Sequence, residues 1–301
     1  MNKAPWSVAS YSVVALLCIL FGYVYYITET KPSLFPVGSS FTINENESLR
    51  SVSLRLEEEH YIHSALWFRV WVSMLGKDRH MQLGSYHFDR AYVLGAIVKK
   101  FVTETPDKPL IQVTIPEGST THEIALIIKN ALPTFSPDIF ESKVTEYNAE
   151  GKLFPSTYFL LPSNNEDDII KLMTDTFEKK YNTAFRWTLI PEPLTSKEEV
   201  ISLAAIIEGE AKKQEDMHII AGILLSRLRQ GMRLQVDVAK VTYSTRDLPT
   251  IPINNPGLVA LSAVLHPIQS DYLYYITGND GVMHYAKTFE EHKANVKKYL
   301  K

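Results

Sequence analysis

Apolar residues recur every three or four positions between residues 197 and 213, a spacing that predicts an amphipathic helix. Ser196 and Glu199 form a capping-box start, so the helix is predicted from about Lys197 to about Lys213. Its apolar face carries Val200, Leu203, Ala204, Ile207 and Ala211. We therefore expect one side of this helix to be packed and the other to be polar.

A second helix is predicted over about residues 215–230, followed by Gly231 as its C-cap. Arg227 and Arg229 stand in its last turn, where cations interact favourably with the helix dipole. Its apolar face carries Met217, Ile220, Ala221, Leu224 and Leu228. Because only a few residues join the two helices, we expect an αα-hairpin.

An acidic pair, Glu208 and Glu210, closes the apolar run of the first helix. At roughly 100° per residue the two carboxyls fall on opposite flanks of the apolar stripe. Glu208 lies one turn beyond Ala204 and Ala205, whose small side chains leave room for a ligand, whereas Glu210 follows bulkier isoleucines. The spacing therefore favours Glu208 as a candidate acid. The alternative is a solvated or salt-bridged helix flank without a catalytic role.

The N-terminal stretch from Ala4 to Thr28 contains no charged residue and is long enough to cross a bilayer. Tyrosines near its end suit the membrane interface, whereas a cleaved signal peptide would be shorter and would end in small residues. Lys3 and the amino terminus are the only charges before it. The positive-inside rule therefore favours a cytoplasmic N-terminus and an outside location for everything after Glu29. Residues 29–40, with two prolines and a glycine, are predicted to be a linker.

An internal repeat follows at an offset of 72 residues, at which Thr42-Ile43-x-Glu45-Asn46 matches Thr114-Ile115-x-Glu117-Gly118. Each copy predicts a short strand, a tight turn and a helix that begins at a Ser or Thr cap. We therefore expect two matched small α+β modules. Further helices are predicted over residues 61–75, 91–103, 166–182, 258–265 and 289–300, and extended segments over 80–88, 151–161, 272–276 and 284–286.

Composition narrows the possible functions. A formal charge of -3 and a pI near 6.3 offer no basic surface for nucleic acid. Cys18 is the only cysteine and lies in the apolar N-terminal run, so no disulfide framework is possible. The nine histidines form no HExxH motif, and the spacing of His60 and His63 is more simply an incidental surface pair. We expect neither a metal nor a cofactor.

Six motifs together resemble those of the endolytic murein transglycosylase (YceG-like) family, and they occur in the family's order behind a single anchor. The segment at 204–210 is similar to A-S-I-I-E-K-E, and that at 225–237 to F-x-N-R-L-x-x-G-M-x-L-Q-T-D. The others are EGKLFPSTY at 150–158, INNPG at 253–257, YLYY at 272–275 and the stretch from His284 to His292. Residues 115–118, IPEG, resemble the family's LysM-like part.

The resemblance implies an α+β fold with one transmembrane helix, LysM-like α+β modules and a mixed α+β catalytic domain built around the αα-hairpin. The corresponding boundaries are 1–28 for the cytoplasmic end and the helix, 29–40 for the linker, 41–190 for the modules and 191–301 for the catalytic domain. It further implies a single-pass protein of the bacterial inner membrane, whose C-terminal domain is extracytoplasmic. Peptidoglycan glycan strands are the implied partner, and peptidoglycan synthases and division machinery are candidate partners.

The resemblance also implies a lyase that cleaves the bond between N-acetylmuramic acid and N-acetylglucosamine in nascent peptidoglycan. Such an enzyme leaves 1,6-anhydro ends, sets glycan strand length and needs one carboxyl, which must start protonated. We assign this role to Glu208, with a pKa raised by a desolvated setting. The candidate substrate-binding residues are Glu210, Arg227, Gln235, Asp237 and Asn255. For each of these, a structural role in a cap or turn is the alternative.

Two departures from the family pattern leave rival functions open. Val238 stands where the family usually has proline, and the loop that follows is shortened. A hydrolytic muramidase acting on the same bond is one rival. A non-catalytic, peptidoglycan-binding membrane scaffold is the other.

Overall fold

A computed structural model describes residues 6–44, 47–76 and 81–300, and the side chains from Tyr11 onward. These residues form a mixed α+β protein with eleven α-helices and seven strands, which confirms the predicted α+β class. The chain packs as two compact units: one extends to Ile111 and includes 159–163, and the other contains 112–158 and 164 onward. The predicted boundary between modules and catalytic domain at 190/191 stays a prediction.

The first unit begins with a long apolar helix. Its helices are α1 (Trp6–Glu29), α2 (Leu49–Glu58), α3 (Ala65–Met74) and α4 (Leu94–Thr103). Residues Tyr11–Glu29 of α1 are long and apolar enough to cross a membrane, with a mean hydropathy of 1.8. The predicted helix is therefore confirmed, while Lys3, on which the orientation depended, lies outside the described residues.

Strands β1 (Ser40–Ile43), β2 (Gly84–His87) and β3 (Lys108–Pro109) form an antiparallel sheet in the order β1-β2-β3. The sheet and helices of this unit enclose an aromatic core that includes Phe41, Tyr61, Phe68, Tyr86, Phe88 and Phe101. Phe35 is only 8% exposed and its ring lies 5.4 Å from that of Tyr61. The predicted linker is therefore packed against the unit near Phe35, because an aromatic side chain in it joins the core.

The two repeat copies each contain a strand followed by a capped helix. Ser48 caps α2 and Thr120 caps α5 (Thr121–Ala131), the latter in a complete capping box. The matched apolar positions of the two copies are all buried, namely Val52, Leu56, Ile124 and Ile128. Glu45 and Asn46 lie outside the described residues, so the first turn cannot be compared with the second.

The remaining elements include β4 (Ile111–Thr114) and β5 (Thr157–Leu160), which form a two-stranded sheet, and β6 (Tyr274–Thr277) and β7 (Met283–Ala286), which form another. The remaining helices are α6 (Pro137–Glu146), α7 (Glu166–Phe185), α8 (Lys197–Glu210), α9 (Gln214–Arg229), α10 (Leu258–Leu265) and α11 (Phe289–Tyr299). A short 3-10 turn covers Lys240–Tyr243.

Several predicted bounds need correction. Helix α3 begins at Ala65 rather than Tyr61, because Ser64 caps it. Helix α8 ends at Glu210 rather than Lys213, because Ala211 has extended backbone angles. The segment predicted over 151–161 is a strand only at Thr157–Leu160.

Helix α8 is the centre of the second unit's core and is buried on all sides, not on one. Every residue from Val200 to Ile207 is buried, since α9 and α10 pack on it and a loop covers the remaining face. In that loop the carbonyl of Pro249 accepts a hydrogen bond from Ser202 Oγ at 2.8 Å, and Asn254 Nδ2 donates to the carbonyl of Ala205 at 2.9 Å. Only the two ends of α8 reach solvent, and the C-terminal end carries Glu208 and Glu210.

Candidate active site

The two glutamates at the end of α8 lie on opposite sides of Gly209. A Cβ atom added to Gly209 would lie 3.1 Å from Val238 Cγ1, so the segment after Asp237 passes close to the helix end. Glu208 and Glu210 are both half-buried. Each carboxyl therefore has its own surroundings.

Glu208 faces the start of α10. The backbone N–H of Gly257, the N-cap residue of α10, donates to Glu208 Oε2 at 2.9 Å. Burial raises the pKa of Glu208, the Gly257 hydrogen bond lowers it in part, and the negative charge of Glu117 raises it further. Because an N–H can only donate, Oε2 is the acceptor oxygen, and a proton on this carboxyl belongs on Oε1.

The turn before α5 comes close to Glu208. Gly118 has a φ of +74°, and a Cβ atom added to it would lie 3.3 Å from Glu208 Cγ. Its N–H donates to the carbonyl of Asn255 at 3.0 Å, and the N–H of Asn255 donates back to the carbonyl of Ser119 at 3.0 Å. Glycine is needed here for the positive φ, and it lets the turn approach the acid.

The buried side chain of Asn255 stabilises the turn before α5. Its side chain is 1% exposed; Oδ1 accepts from the N–H of Leu153 at 2.8 Å, and Nδ2 donates to the carbonyl of Ser119 at 3.0 Å. The amide is therefore used by the backbone of two loops. These contacts fit the turn-stabilising alternative, and the substrate-binding role of Asn255 stays a prediction.

A cavity of about 480 Å³ lies on the other flank, beside Glu210. Its lining includes four of the predicted substrate-binding residues, Glu210, Arg227, Gln235 and Asp237. It also includes rings that sequence reasoning did not assign to the site, those of Tyr243, Tyr274, Tyr275, Phe289 and His292. Glu208 does not line this cavity, although the small alanines below it had predicted room on its side. Gly257 and the 115–118 turn occupy part of that space.

Glu210 is held by two donors. Tyr275 Oη donates to Oε2 at 3.2 Å, and the N–H of Val238 donates to Oε1 at 3.5 Å. Burial raises the pKa of Glu210, these hydrogen bonds lower it, and the charge of Asp237 raises it. Both glutamates thus have a raised pKa, and the pKa alone does not distinguish them.

Arg227 and Asp237 complete the polar lining. Arg227 is 7% exposed. Its Nε donates to the carbonyl of Leu273 at 2.7 Å, and a terminal nitrogen donates to the carbonyl of Leu234. Its guanidinium carbon lies 5.3 Å from the ring centre of Tyr274. Asp237 accepts from Tyr243 Oη at 2.7 Å. Polar groups lining a cavity with aromatic rings suit a polar ligand that has apolar faces, as a sugar does.

The described residues contain no group of three or more His, Cys, Asp or Glu side chains that could hold a metal ion. The last turn of α8 offers two carboxyls, each with a raised pKa. A carboxyl whose pKa is raised can donate a proton near neutral pH and take one back afterwards.

The raised pKa of Glu208 predicts a pH-dependent stability. Folding raises its pKa above the ordinary value of 4.5, so its stabilising contribution is complete below pH 4.5 and is lost as pH rises through the folded-state pKa. Glu208→Gln should therefore unfold at a higher denaturant concentration than the unmutated chain, with a gain that grows as pH rises above 4.5. Urea unfolding between about pH 4 and pH 8 measures this.

Glu199, on the same helix, is the control of opposite sign. Hydrogen bonds from Thr195 and Ser196 lower its pKa. It contributes stability above its ordinary value of 4.5, which is lost as pH falls through the lowered folded-state pKa, so Glu199→Gln should be less stable than the unmutated chain at neutral pH. A gain for Glu208→Gln that is equal at all pH values would contradict the assignment.

Fold and site together define the class of protein. It is a mixed α+β protein with an N-terminal apolar helix, and its candidate site combines an acid–base carboxyl at the end of a buried helix with a cavity lined by polar groups and aromatic rings. The YceG-like family model matches residues 41–241 and 241–298. The chain belongs to the YceG-like family, and the resemblance drawn from its motifs is confirmed.

Individual relatives agree with this assignment. A Bacillus subtilis protein named endolytic murein transglycosylase is 28% identical over 327 residues, covering 90% of this chain and 89% of that protein. Proteins of the same name from two Streptococcus pneumoniae strains are 22% identical and cover 93% of this chain, which spans 62% of their length. A crystal structure of a YceG-like protein from Listeria monocytogenes is 25% identical, with a TM-score of 0.54, covering 85% of this chain and 98% of that one.

Proposed function

We propose that this chain is an endolytic murein transglycosylase that cleaves the bond between N-acetylmuramic acid and N-acetylglucosamine in peptidoglycan. The names of the curated relatives support this function, since one of them matches over 90% of this chain. The observation that carries the mechanism is the half-buried Glu208, whose raised pKa favours a protonated carboxyl. Such a carboxyl is the one group that this reaction requires.

Glu208 acts first as an acid and then as a base. Its Oε1 proton goes to the bridging oxygen, the bond from that oxygen to C1 of the muramic acid breaks, and the glucosamine leaves with a 4-hydroxyl. The Glu208 carboxylate then takes the proton of the muramyl 6-hydroxyl, whose oxygen bonds to C1 and closes the 1,6-anhydro ring. No water is consumed, and Glu208 ends protonated for the next cycle.

The start of α10 stabilises the intermediate charge state. When Glu208 loses its proton, the N–H of Gly257 already donates to Oε2 at 2.9 Å. Backbone N–H groups at a helix N-terminus favour an anion. Burial is the larger effect and raises the pKa of Glu208, whereas this hydrogen bond lowers it and stabilises the carboxylate.

The cavity beside Glu210 is proposed to bind sugars on one side of the bond that Glu208 cleaves. Gln235 and Asp237 carry exposed polar side chains into its lining, and the rings of Tyr274 and Tyr275 offer apolar faces. Arg227 offers a cation for the carboxylates of muropeptides, while its other hydrogen bonds fix the loop at Leu234 and the start of β6. Asn255 supports the acid by holding the 115–119 turn.

The membrane location and the domain organisation complete the proposal. Helix α1 spans the bacterial inner membrane once, with the C-terminal part extracytoplasmic. The matched strand–helix copies act as LysM-like modules, α8 and α9 form the αα-hairpin of the catalytic domain, and cleavage near the membrane sets strand length. Peptidoglycan synthases and division machinery remain candidate partners.

Analysis of product ends tests the function. The purified full chain in detergent, incubated with uncross-linked glycan strands, is expected to release fragments with 1,6-anhydro-muramic ends by mass spectrometry. Reducing muramic ends would instead identify a hydrolytic muramidase. Glycan binding without any released product would favour the non-catalytic scaffold.

A further inference from the structure

Glu117, on the turn before α5, lies against the residue that hydrogen-bonds the acid. A Cβ atom added to Gly257 would lie 2.0 Å from Glu117 Oε1 and 2.3 Å from its carboxyl carbon. The Glu117 carboxyl therefore rests against the Cα of Gly257, and the N–H of the same Gly257 donates to Glu208 Oε2. The two carboxyls share this one glycine.

The backbone that carries Glu117 is held in place. Its neighbour Gly118 donates to the carbonyl of Asn255 at 3.0 Å, and the buried amide of Asn255 binds the carbonyl of Ser119 at 3.0 Å. The side chain of Glu117 itself is exposed, and the described residues provide no hydrogen bond or ion pair that neutralises it. The negatively charged side chain of Glu117, on a turn whose backbone is held by hydrogen bonds, therefore lies beside the Glu208 carboxyl.

We propose that Glu117 is a positioning residue for the reaction. Its negative charge lies on the other side of Gly257 from Glu208 and keeps the Glu208 carboxyl protonated until the glycan binds. This inference rests on the proposed function of Glu208. The same charge acts again after proton transfer, because the Glu208 carboxylate then faces a second anion and takes the proton of the 6-hydroxyl more readily. Glu117 acts through Glu208 and exchanges no proton with the sugar.

The electrostatic setting of Glu208 supports a role for this one side chain. The charge of Glu117 raises the pKa of Glu208. Helix α10 and the stretch from Thr250 to Pro256, which pack on the same side, contain no titratable side chain. Asp237, on the segment that crosses Gly209, acts on Glu210 instead. Removing the charge at position 117 should therefore change the titration of Glu208 specifically.

The test is the pH dependence of anhydro-product release by the full chain carrying Glu117→Gln. The alkaline limb of the profile, where Glu208 loses its proton, should move to lower pH. Product release should fall severalfold near pH 8 and stay close to that of the unmutated chain near pH 5. Glu117→Lys should move the limb further in the same direction. Glu146→Gln, the same charge change at an exposed position on α6, is the matched control and should leave the profile unchanged.

A second measurement, the effect of ionic strength, tests the charge of Glu117 without a substitution in the turn. Because exposed charges are screened by salt, raising the ionic strength should move the alkaline limb of the unmutated chain to lower pH and move that of Glu117→Gln much less. A Glu117→Gln profile that overlies the unmutated one would overturn the proposal. So would an equal loss at every pH, which is the effect expected if Glu117 only holds the turn. Absence of anhydro products from the unmutated chain would instead refute the proposed function.

Discussion

Glu208→Gln is expected to abolish anhydro-product release, with a fall of about a hundred- to ten-thousandfold in the rate of cleavage, the usual contribution of a general acid and base. The amide keeps an oxygen that accepts from the N–H of Gly257, so the fold around it should persist. What it lacks is the proton for the bridging oxygen. Rates are measured on purified glycan strands, with glycan binding recorded separately.

Glu210→Gln is the matched variant, since both carboxyls lie in the last turn of α8 and both have a raised pKa. Its amide oxygen still accepts from Tyr275 Oη, and the cavity keeps its shape. We expect a loss of about tenfold or less, mainly as a raised KM, because removing uniform binding raises KM and leaves kcat. If Glu210→Gln were inactive and Glu208→Gln active, the acid would be the carboxyl at the cavity.

Gly222→Ala is expected to destabilise the second unit by about 3 kcal/mol, the upper range for overpacking a core. Gly222 lies within α9, where alanine would ordinarily stabilise the helix by about 1 kcal/mol. Here an added Cβ atom would lie 2.0 Å from the carbonyl oxygen of Ile268. That backbone cannot simply move away, because the N–H of Ile268 donates to the carbonyl of His218 on α9 at 3.0 Å.

Urea unfolding of the full chain in detergent measures this loss as a lower midpoint. Gly22→Ala is a suitable control, since it also lies within a helix and an added Cβ atom there meets nothing within 4 Å. It should leave the midpoint unchanged. A midpoint for Gly222→Ala equal to or above that of the unmutated chain would show that helix propensity outweighs the close approach of Ile268.

The local elements were predictable because their signals are local. The Ser196 capping box marks the start of α8, and α10 covers Leu258–Leu265 as predicted. The burial of α8 on all sides was not predictable, because it depends on a loop around Pro249, which lies 47 residues after Ser202. Helical periodicity reports one face at a time and gives no information on distant segments that cover the other faces.

The candidate site was predictable in its carboxyls but not in its surroundings. The positions of Glu208 and Glu210 on opposite flanks follow from helix geometry, whereas the cavity on the side of Glu210 depends on where Tyr275 and Tyr243 fold back. Glu117 belongs to the second copy of the sequence repeat, and its position beside Gly257 depends on a contact over more than a hundred residues. The glycines of IPEG and INNPG were the available signals, since glycine permits close approach of the backbone.

The raised pKa values of Glu208 and Glu210 also mean that the last turn of α8 lowers the stability of the folded protein at neutral pH. A carboxyl whose pKa is raised by burial destabilises the folded protein at neutral pH, and the last turn of α8 carries two of them, one on each flank of the helix. Active sites commonly give up stability in this way for reactivity. The core of α8, α9 and α10 below them supplies the packing that offsets this cost.

In the proposed mechanism, Glu208 transfers a proton between two oxygens of the glycan and no water enters the product. Cleavage in water enriched in heavy oxygen tests this most directly, with mass spectrometry of the new muramic ends. We expect anhydro ends without the heavy isotope, formed by the unmutated chain and absent with Glu208→Gln. One heavy oxygen at each new muramic end would contradict it and would identify hydrolysis.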